Sequence, residues 1–192
     1  LAVAGGRELV GPANRLARHL DICVATQDWH PPDHGSFAAR HPGHAIGEVI
    51  QLDGLPQVLW PVHCVERTPG AEFLPGLDRT RWDAVFQKGT DPHVDSYSGF
   101  FDNGRRHATG LGDYLAGRGV TDVYVMGLAP DYCVKFTALD ACGLGLRTHL
   151  IEDACSGVDL APGDVAAAIV AMRAAGVNIV TEANVIGERS KT

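Results

Sequence analysis

Short apolar runs alternate with amphipathic stretches along most of this chain. Residues 21–26 (DICVAT), 83–87 (DAVFQ), 122–127, 147–152 (RTHLIE) and 177–181 (VNIVT) are apolar runs of strand length. Between them, apolar residues return at helical spacing. Leu9, Val10, Leu16, Ala17 and Leu20 give residues 9–20 an apolar face, and Val134, Ala138, Ala141 and Cys142 do the same until Gly143 and Gly145 end the pattern. Similar patterns occupy about 105–117 and 162–175. Strands alternating with helices at this spacing predict an α/β chain, three-layer αβα, with a mostly parallel central sheet. One such domain is expected to take up residues 1–192. Residues 31–82 break the alternation with a long stretch of low regularity, and the polar tail after Asn184 is expected to fray.

Ligands of such sheets bind beyond the carboxyl ends of the strands, so chemistry is expected just after residues 26, 87 and 127. Each place holds some. After the third strand, Gly127, Ala129 and Pro130 make a turn and Cys133 opens a helix. Unpaired N–H groups at a helix N-terminus favour negative charge, so the thiol pKa is expected to fall and the same groups to receive an oxyanion. Read alone, Cys133 is equally a small buried hydrophobe. After the first strand come Asp28 and His30, two apart on an extended segment, with His34 and His63 available to join them. A carboxylate with two or three imidazoles suits Zn, Fe or Mn with positions left open; the alternative is a hydrogen-bonded turn, the reading given to His41 and His44. After the second strand, Lys88 precedes Gly89, where its ammonium either stabilises a thiolate or oxyanion or extends to solvent.

A net charge of −7 and the lack of a basic cluster argue against nucleic acid or a membrane surface as partner. Five cysteines without a C-x-x-C pair indicate a reduced, cytoplasmic compartment. No apolar run approaches membrane-spanning length.

The segments LAVAGG, TQDWHPPDHGSF, LDGLPQVLWPVHCV, RTPGAEF, FQKGTDP, DSYSGFFDNG and GLAPDYCVKFTALDA run in order over nearly the whole chain. Together they resemble the nicotinamidase/pyrazinamidase branch of the isochorismatase-like hydrolases. The resemblance implies the isochorismatase-like fold and a Cys-Asp-Lys triad, with Cys133 as nucleophile and Lys88 as the triad lysine. It implies a divalent metal on Asp28, His30 and His63, and makes His34 a further histidine that is a direct ligand in some members and an outer group in others. Trp60 matches an aromatic wall, Tyr97 lies in a motif closing over the pocket, and Leu128 belongs to the pocket. A cis bond between Leu128 and Ala129 is implied, turning the Ala129 N–H toward the oxyanion beside that of Cys133. The activity implied is nicotinamide hydrolysis in NAD salvage, with pyrazinamide also accepted. Two alternatives are a metal-independent hydrolase of another small amide and an inactive metal- and ligand-binding homologue; a homo-oligomer is left open.

Two positions depart from the pattern. Position 130 is Pro where relatives usually carry Thr. The triad aspartate, which relatives carry on a first strand just ahead of the segment matching LAVAGG, has no match in residues 1–192, and neither Asp131 nor Asp91 is assigned that role. That strand is expected ahead of Leu1, with an intact mass above 20.4 kDa.

Overall fold

The computed structural model describes residues 2–189. A 3-10 turn at Gly6–Leu9 leads into α1 (Val10–Ala17), followed by β1 (Val24–Asp28), the hairpin β2 (Val49–Leu52) and β3 (Leu55–Val58), and β4 (Ala84–Lys88). Then come α2 (Leu111–Gly117), β5 (Asp122–Leu128), α3 (Cys133–Gly143), β6 (Arg147–Ser156), α4 (Asp164–Ala174), β7 (Asn178–Val180) and α5 (Glu182–Arg189). The five predicted strands are present with shifted ends.

The parallel strands fall into two hydrogen-bonded groups: β1 with β4, and β5–β6–β7. Successive residues of a strand point to opposite faces, and β6 shows what this achieves. Leu150 packs with Val134 and Ala138 of α3 and Met172 of α4, whereas Ile151 packs on the other face with Leu16 of α1 and Val185 of α5. Helices therefore cover both faces, as the alternation predicts. A third cluster around Phe100, Leu111, Leu115 and Ala141 takes Val24 from β1, Phe86 from β4 and Val123 from β5, and so joins the two groups.

Helix ends follow local chemistry. After α3, Gly145 adopts φ 84, its N–H reaches Cys142 O, and the Leu146 N–H reaches Ala141 O at 3.0 Å, closing the helix in a Schellman motif that launches β6. α2 and α4 close the same way before β5 and β7. The predicted helix at 105–117 starts only at Leu111, because the Asp102 carboxylate captures the N–H groups of Gly104, Arg106 and His107 and holds that segment as a loop.

Two expectations need correction. The tail after Asn184 does not fray as far as Arg189: α5 continues, Val185 is buried, and Arg15 forms two hydrogen bonds to Glu182, 2.6 and 2.8 Å. Residues 190–192 lie outside the described part. The stretch 31–82 is also more regular than expected. Asp53 and Gly54, both at positive φ, turn β2 back on β3, the conformation that D-G between apolar residues favours. Bridges from His30 to Val65 and from Phe37 to Trp60 draw the two halves of this stretch together. No helix among the described residues is long and apolar enough to cross a membrane.

Candidate active site

The site collects at the carboxyl ends of β1, β4 and β5. Asp28 and Lys88 are cross-strand partners, the last residues of two adjacent parallel strands. The Lys88 ammonium is buried; it donates to the Asp28 carboxylate and to Ser96 O at 2.7 Å, and lies 3.4 Å from Cys133 Sγ. Cys133 is the first residue of α3, five positions beyond the end of β5. Ala129 O accepts from the N–H groups of Tyr132 and Val134, 3.0 Å each, which folds the turn back ahead of the thiol. The buried Asp131 carboxylate fastens this turn to the N–H groups of Val158 and Asp159. Thr137 donates to Cys133 O and accepts from the Gly99 N–H, tying the helix start to the loop that carries Ser96. The Leu128–Ala129 bond is cis and Pro130 is buried. Leu128 is 41 % exposed, with its methyl groups over Gly6.

Burial and charge compete here. For Asp28, burial works against ionisation, but Lys88 and then His30 outweigh it and hold the carboxyl below its ordinary range. For Lys88, burial also opposes the charge, and Asp28 and Cys133 overcome it and push the pKa up. Cys133 does not behave as its helix position predicts. Burial pushes its thiol up to about 11; Lys88 pulls the other way, against the carboxylates of Asp28 and Asp95. A lysine already engaged by a carboxylate cannot give its full charge to the sulfur, and desolvation wins.

Beside this network stand two overlapping clusters, Asp28–His30–His63 and His30–His34–Asp95, each with its ligand-type atoms within 4.8 Å of one another. His30 and His34 are fully buried, with ring centroids 4.3 Å apart, and His63 lies 4.9 Å from His30. Nδ1 of His30 contacts Gly89 O and Nδ1 of His63 contacts Pro61 O, both at 2.8 Å, so each ring is oriented by its inner nitrogen with Nε2 left over. Burial pushes His63 down and His34 down to about 4, favouring neutral imidazoles. Neutral, oriented imidazoles beside an ionised carboxylate are what a divalent cation requires; the residues present fit one. His41 and His44 stay outside the clusters, on Gly35 O and Glu48.

Aromatic rings gather beside Cys133. Trp60 donates its indole N–H to the Tyr97 hydroxyl at 3.2 Å and meets Tyr132 edge-on at 4.8 Å, while Phe136 stacks on Tyr97. Sequence reasoning missed Tyr132 and Phe136, although both lie one helical turn apart beside Cys133. It also missed Gln57 and Asp95. Gln57, buried on β3, donates to Asp95 at 3.0 Å and to the Tyr97 hydroxyl at 3.3 Å, linking the hairpin to both the histidines and the aromatic wall. Asp95 stood within DSYSGFFDNG, but nothing in that motif signals a histidine neighbour.

A layered parallel α/β chain with a thiol, a buried lysine and a histidine–carboxylate cluster at one sheet end narrows the class to enzymes that handle small polar ligands there. The Isochorismatase domain model matches residues 3–184, and the chain belongs to that family. It is 49 % identical over 191 residues to the nicotinamidase of Escherichia coli (strain K12), covering 96 % of this chain and 88 % of that one. Among solved structures it is similar to an Acinetobacter baumanii nicotinamidase/pyrazinamidase, with 44 % identity, TM-score 0.93 and coverage of 96 % and 88 %. A zinc complex of the Pyrococcus horikoshii pyrazinamidase is also similar, at 35 % identity, TM-score 0.75 and coverage of 94 % and 89 %.

Proposed function

We propose that the protein hydrolyses nicotinamide to nicotinate and ammonia, a step of NAD salvage, and accepts pyrazinamide as well, acting as one hydrolase domain in the reducing cytoplasm with its five thiols free. The observation that carries the reading is the Lys88 ammonium, shared between Asp28 and Cys133 Sγ at the edge of the histidine cluster.

In this reading Trp60 and Tyr97 pack on the planar ring, with Leu128 at the margin, and bring the carboxamide over Cys133. The sulfur attacks the carboxamide carbon, and the N–H groups of Ala129 and Cys133 receive the oxyanion. Lys88, already an ammonium, is no base; it holds negative charge on the sulfur. The thiol proton passes to the triad aspartate, for which residues 1–192 offer no match, and from there to the departing amine, so that ammonia leaves and a thioester remains. Water then hydrolyses the thioester. Asp28, His30 and His63 would hold a divalent cation, Zn, Fe or Mn, which would supply a Lewis-acid contact for the ring nitrogen.

The test is ammonia release from nicotinamide by purified protein, with and without chelator, beside Cys133→Ala. Release that disappears under both treatments is the expected result. Release that survives chelation would replace this reading with a metal-independent amidase, and no release from metal-loaded protein would leave a binding protein without turnover.

A further inference from the structure

Three acceptors share the three hydrogens of the Lys88 ammonium. Two are oxygens, one from the Asp28 carboxylate and Ser96 O at 2.7 Å, and the third is Cys133 Sγ at 3.4 Å. The ammonium is tetrahedral, so fixing two of its N–H bonds on oxygen aims the third at the sulfur. Asp28 is placed by the register of β1 on β4. Ser96 O stands on a loop, and that loop is pinned from within and from α2. The Ser96 hydroxyl is shared between Ser98 O at 3.1 Å and Phe101 O at 3.0 Å, and Ser98 Oγ accepts from the Phe100 N–H at 3.0 Å. Thr109 donates to Gly99 O at 2.6 Å and accepts from the Leu111 N–H, which fastens the loop to the start of α2.

The Thr137 hydroxyl joins this loop to the start of α3. It donates to Cys133 O at 2.6 Å and accepts from the Gly99 N–H at 2.9 Å. A carbonyl only accepts and a backbone N–H only donates, so a group that serves both at once has to be a hydroxyl. The bond to a carbonyl four residues back is an ordinary habit of helical threonine. The bond to Gly99 is not, and it needs a close approach: a Cβ on Gly99 would stand 2.8 Å from Thr26 Cγ2 and 3.5 Å from Thr137 Cγ2. We infer that Thr137 is a positioning residue, whose hydroxyl sets the gap between Cys133 Sγ and the Lys88 ammonium by tying the helix of the thiol to the loop whose Ser96 carbonyl orients that ammonium. The inference rests on the reading of Cys133 as the nucleophile. Without the hydroxyl, the buried Gly99 N–H loses its acceptor, loop and helix start are free to separate, and the ammonium no longer bears on the sulfur. Lys88 is the group that pulls the thiol pKa down against burial, so the thiolate becomes scarcer. The aromatic contacts stay: Tyr97 keeps its bonds to Trp60 and Gln57 and its stack on Phe136.

Thr137→Val replaces the hydroxyl by a methyl of the same shape, and Thr137→Ser keeps the hydroxyl and drops the methyl. Two readouts separate positioning from packing: kcat and KM for ammonia release from nicotinamide, and the rate at which iodoacetamide alkylates Cys133 at neutral pH, followed by mass spectrometry of its peptide. Thr137→Val is expected to lower kcat by about 30-fold to 100-fold with KM changed less than about threefold, and to slow alkylation by about tenfold. Thr137→Ser is expected to bring both rates back to within about threefold of the parent. Parent-like rates in Thr137→Val, or equal losses in Thr137→Ser, would overturn the inference, the second by assigning the effect to the methyl group. If Thr137→Val does not fold, Thr137→Ala is put through the same readouts against Thr137→Ser. If the parent itself releases no ammonia, the nicotinamidase reading fails instead, and the alkylation rates alone decide the role of Thr137.

Discussion

Cys133 and His30 meet through one lysine network, yet the chain positions them by different means. Cys133 stands on a strand, a short turn and a helix, all within residues 122–143, held by a Schellman-closed helix and the Asp131 clamp. His30 stands just past a strand end, in a cluster whose other members come from residues 28, 34, 63 and 95, and its ring is oriented by Gly89 O from a different strand end. The Cys133 turn is a local device. The histidine–carboxylate cluster is a long-range one, dependent on loops that fold back through isolated bridges. The Cys133 turn should therefore tolerate damage elsewhere, whereas the cluster should fail when any approaching loop is displaced.

The largest effect isolates the local device. Cys133→Ala is expected to lower kcat by about 10⁴-fold or more while leaving cation affinity unchanged, as measured by ammonia release and metal titration; reduced affinity in this variant would show that the two regions are not separable. Lys88→Met cuts the link between them. It leaves the Asp28 carboxylate without its partner and is expected to cost about 3 kcal/mol in urea unfolding, part of which Lys88→Met/Asp28→Asn recovers. A double variant no more stable than the single one would argue that the ion pair is not what Lys88 contributes.

Gly89→Ala probes the long-range device. A Cβ there would stand 2.4 Å from His30 Cε1 on a backbone at φ 64, so the ring has to move. Cation affinity is expected to fall by about tenfold to 100-fold, with Cys133 alkylation changing far less; the reverse pattern would reassign Gly89 to the Cys133 turn.

The smallest effect is shared. Burial pushes the thiols of Cys64 and Cys133 up to about 11 and Cys155 up to about 12. A folded pKa raised above that of the unfolded thiol, about 8.5, means that the stability is fully present below that value and is lost as pH rises through 11–12. Unfolding scans from pH 8 to 10.5 should show a falling Tm, and Cys155→Ala should make the decline shallower by about 1.4 kcal/mol per pH unit above 8.5. An unchanged slope would place the alkaline sensitivity elsewhere.

The same contrast governs what could be read from the amino-acid order. The turn that carries Cys133 was legible because its apolar spacing changes from strand to helix within a few residues, and the Lys88 position because a strand ends there. Asp28 and His30 were legible as an i, i+2 pair. Asp95 and Gln57 were not, because they approach the cluster only through tertiary folding. The Cys133 pKa was misjudged for a related reason: a helix N-terminus is visible locally, whereas the burial and the Asp28–Lys88 pairing that overrule it are not. The β2–β3 hairpin is a different case. Its D-G signal was present at Asp53–Gly54 but was subsumed in a stretch read as irregular.

The indole hydrogen bond of Trp60 has an optical consequence. Of the three tryptophans, Trp60 is the buried one, 4 % exposed, with its N–H on the Tyr97 phenol and its ring edge-on to Tyr132. Trp29 and Trp82 are only part-buried. Emission from Trp60 should lie to the blue of the other two and be shielded from aqueous quenchers. Under the proposed function, a planar ring packing on Trp60 would change that emission directly, giving occupancy a reporter that requires no turnover and no label.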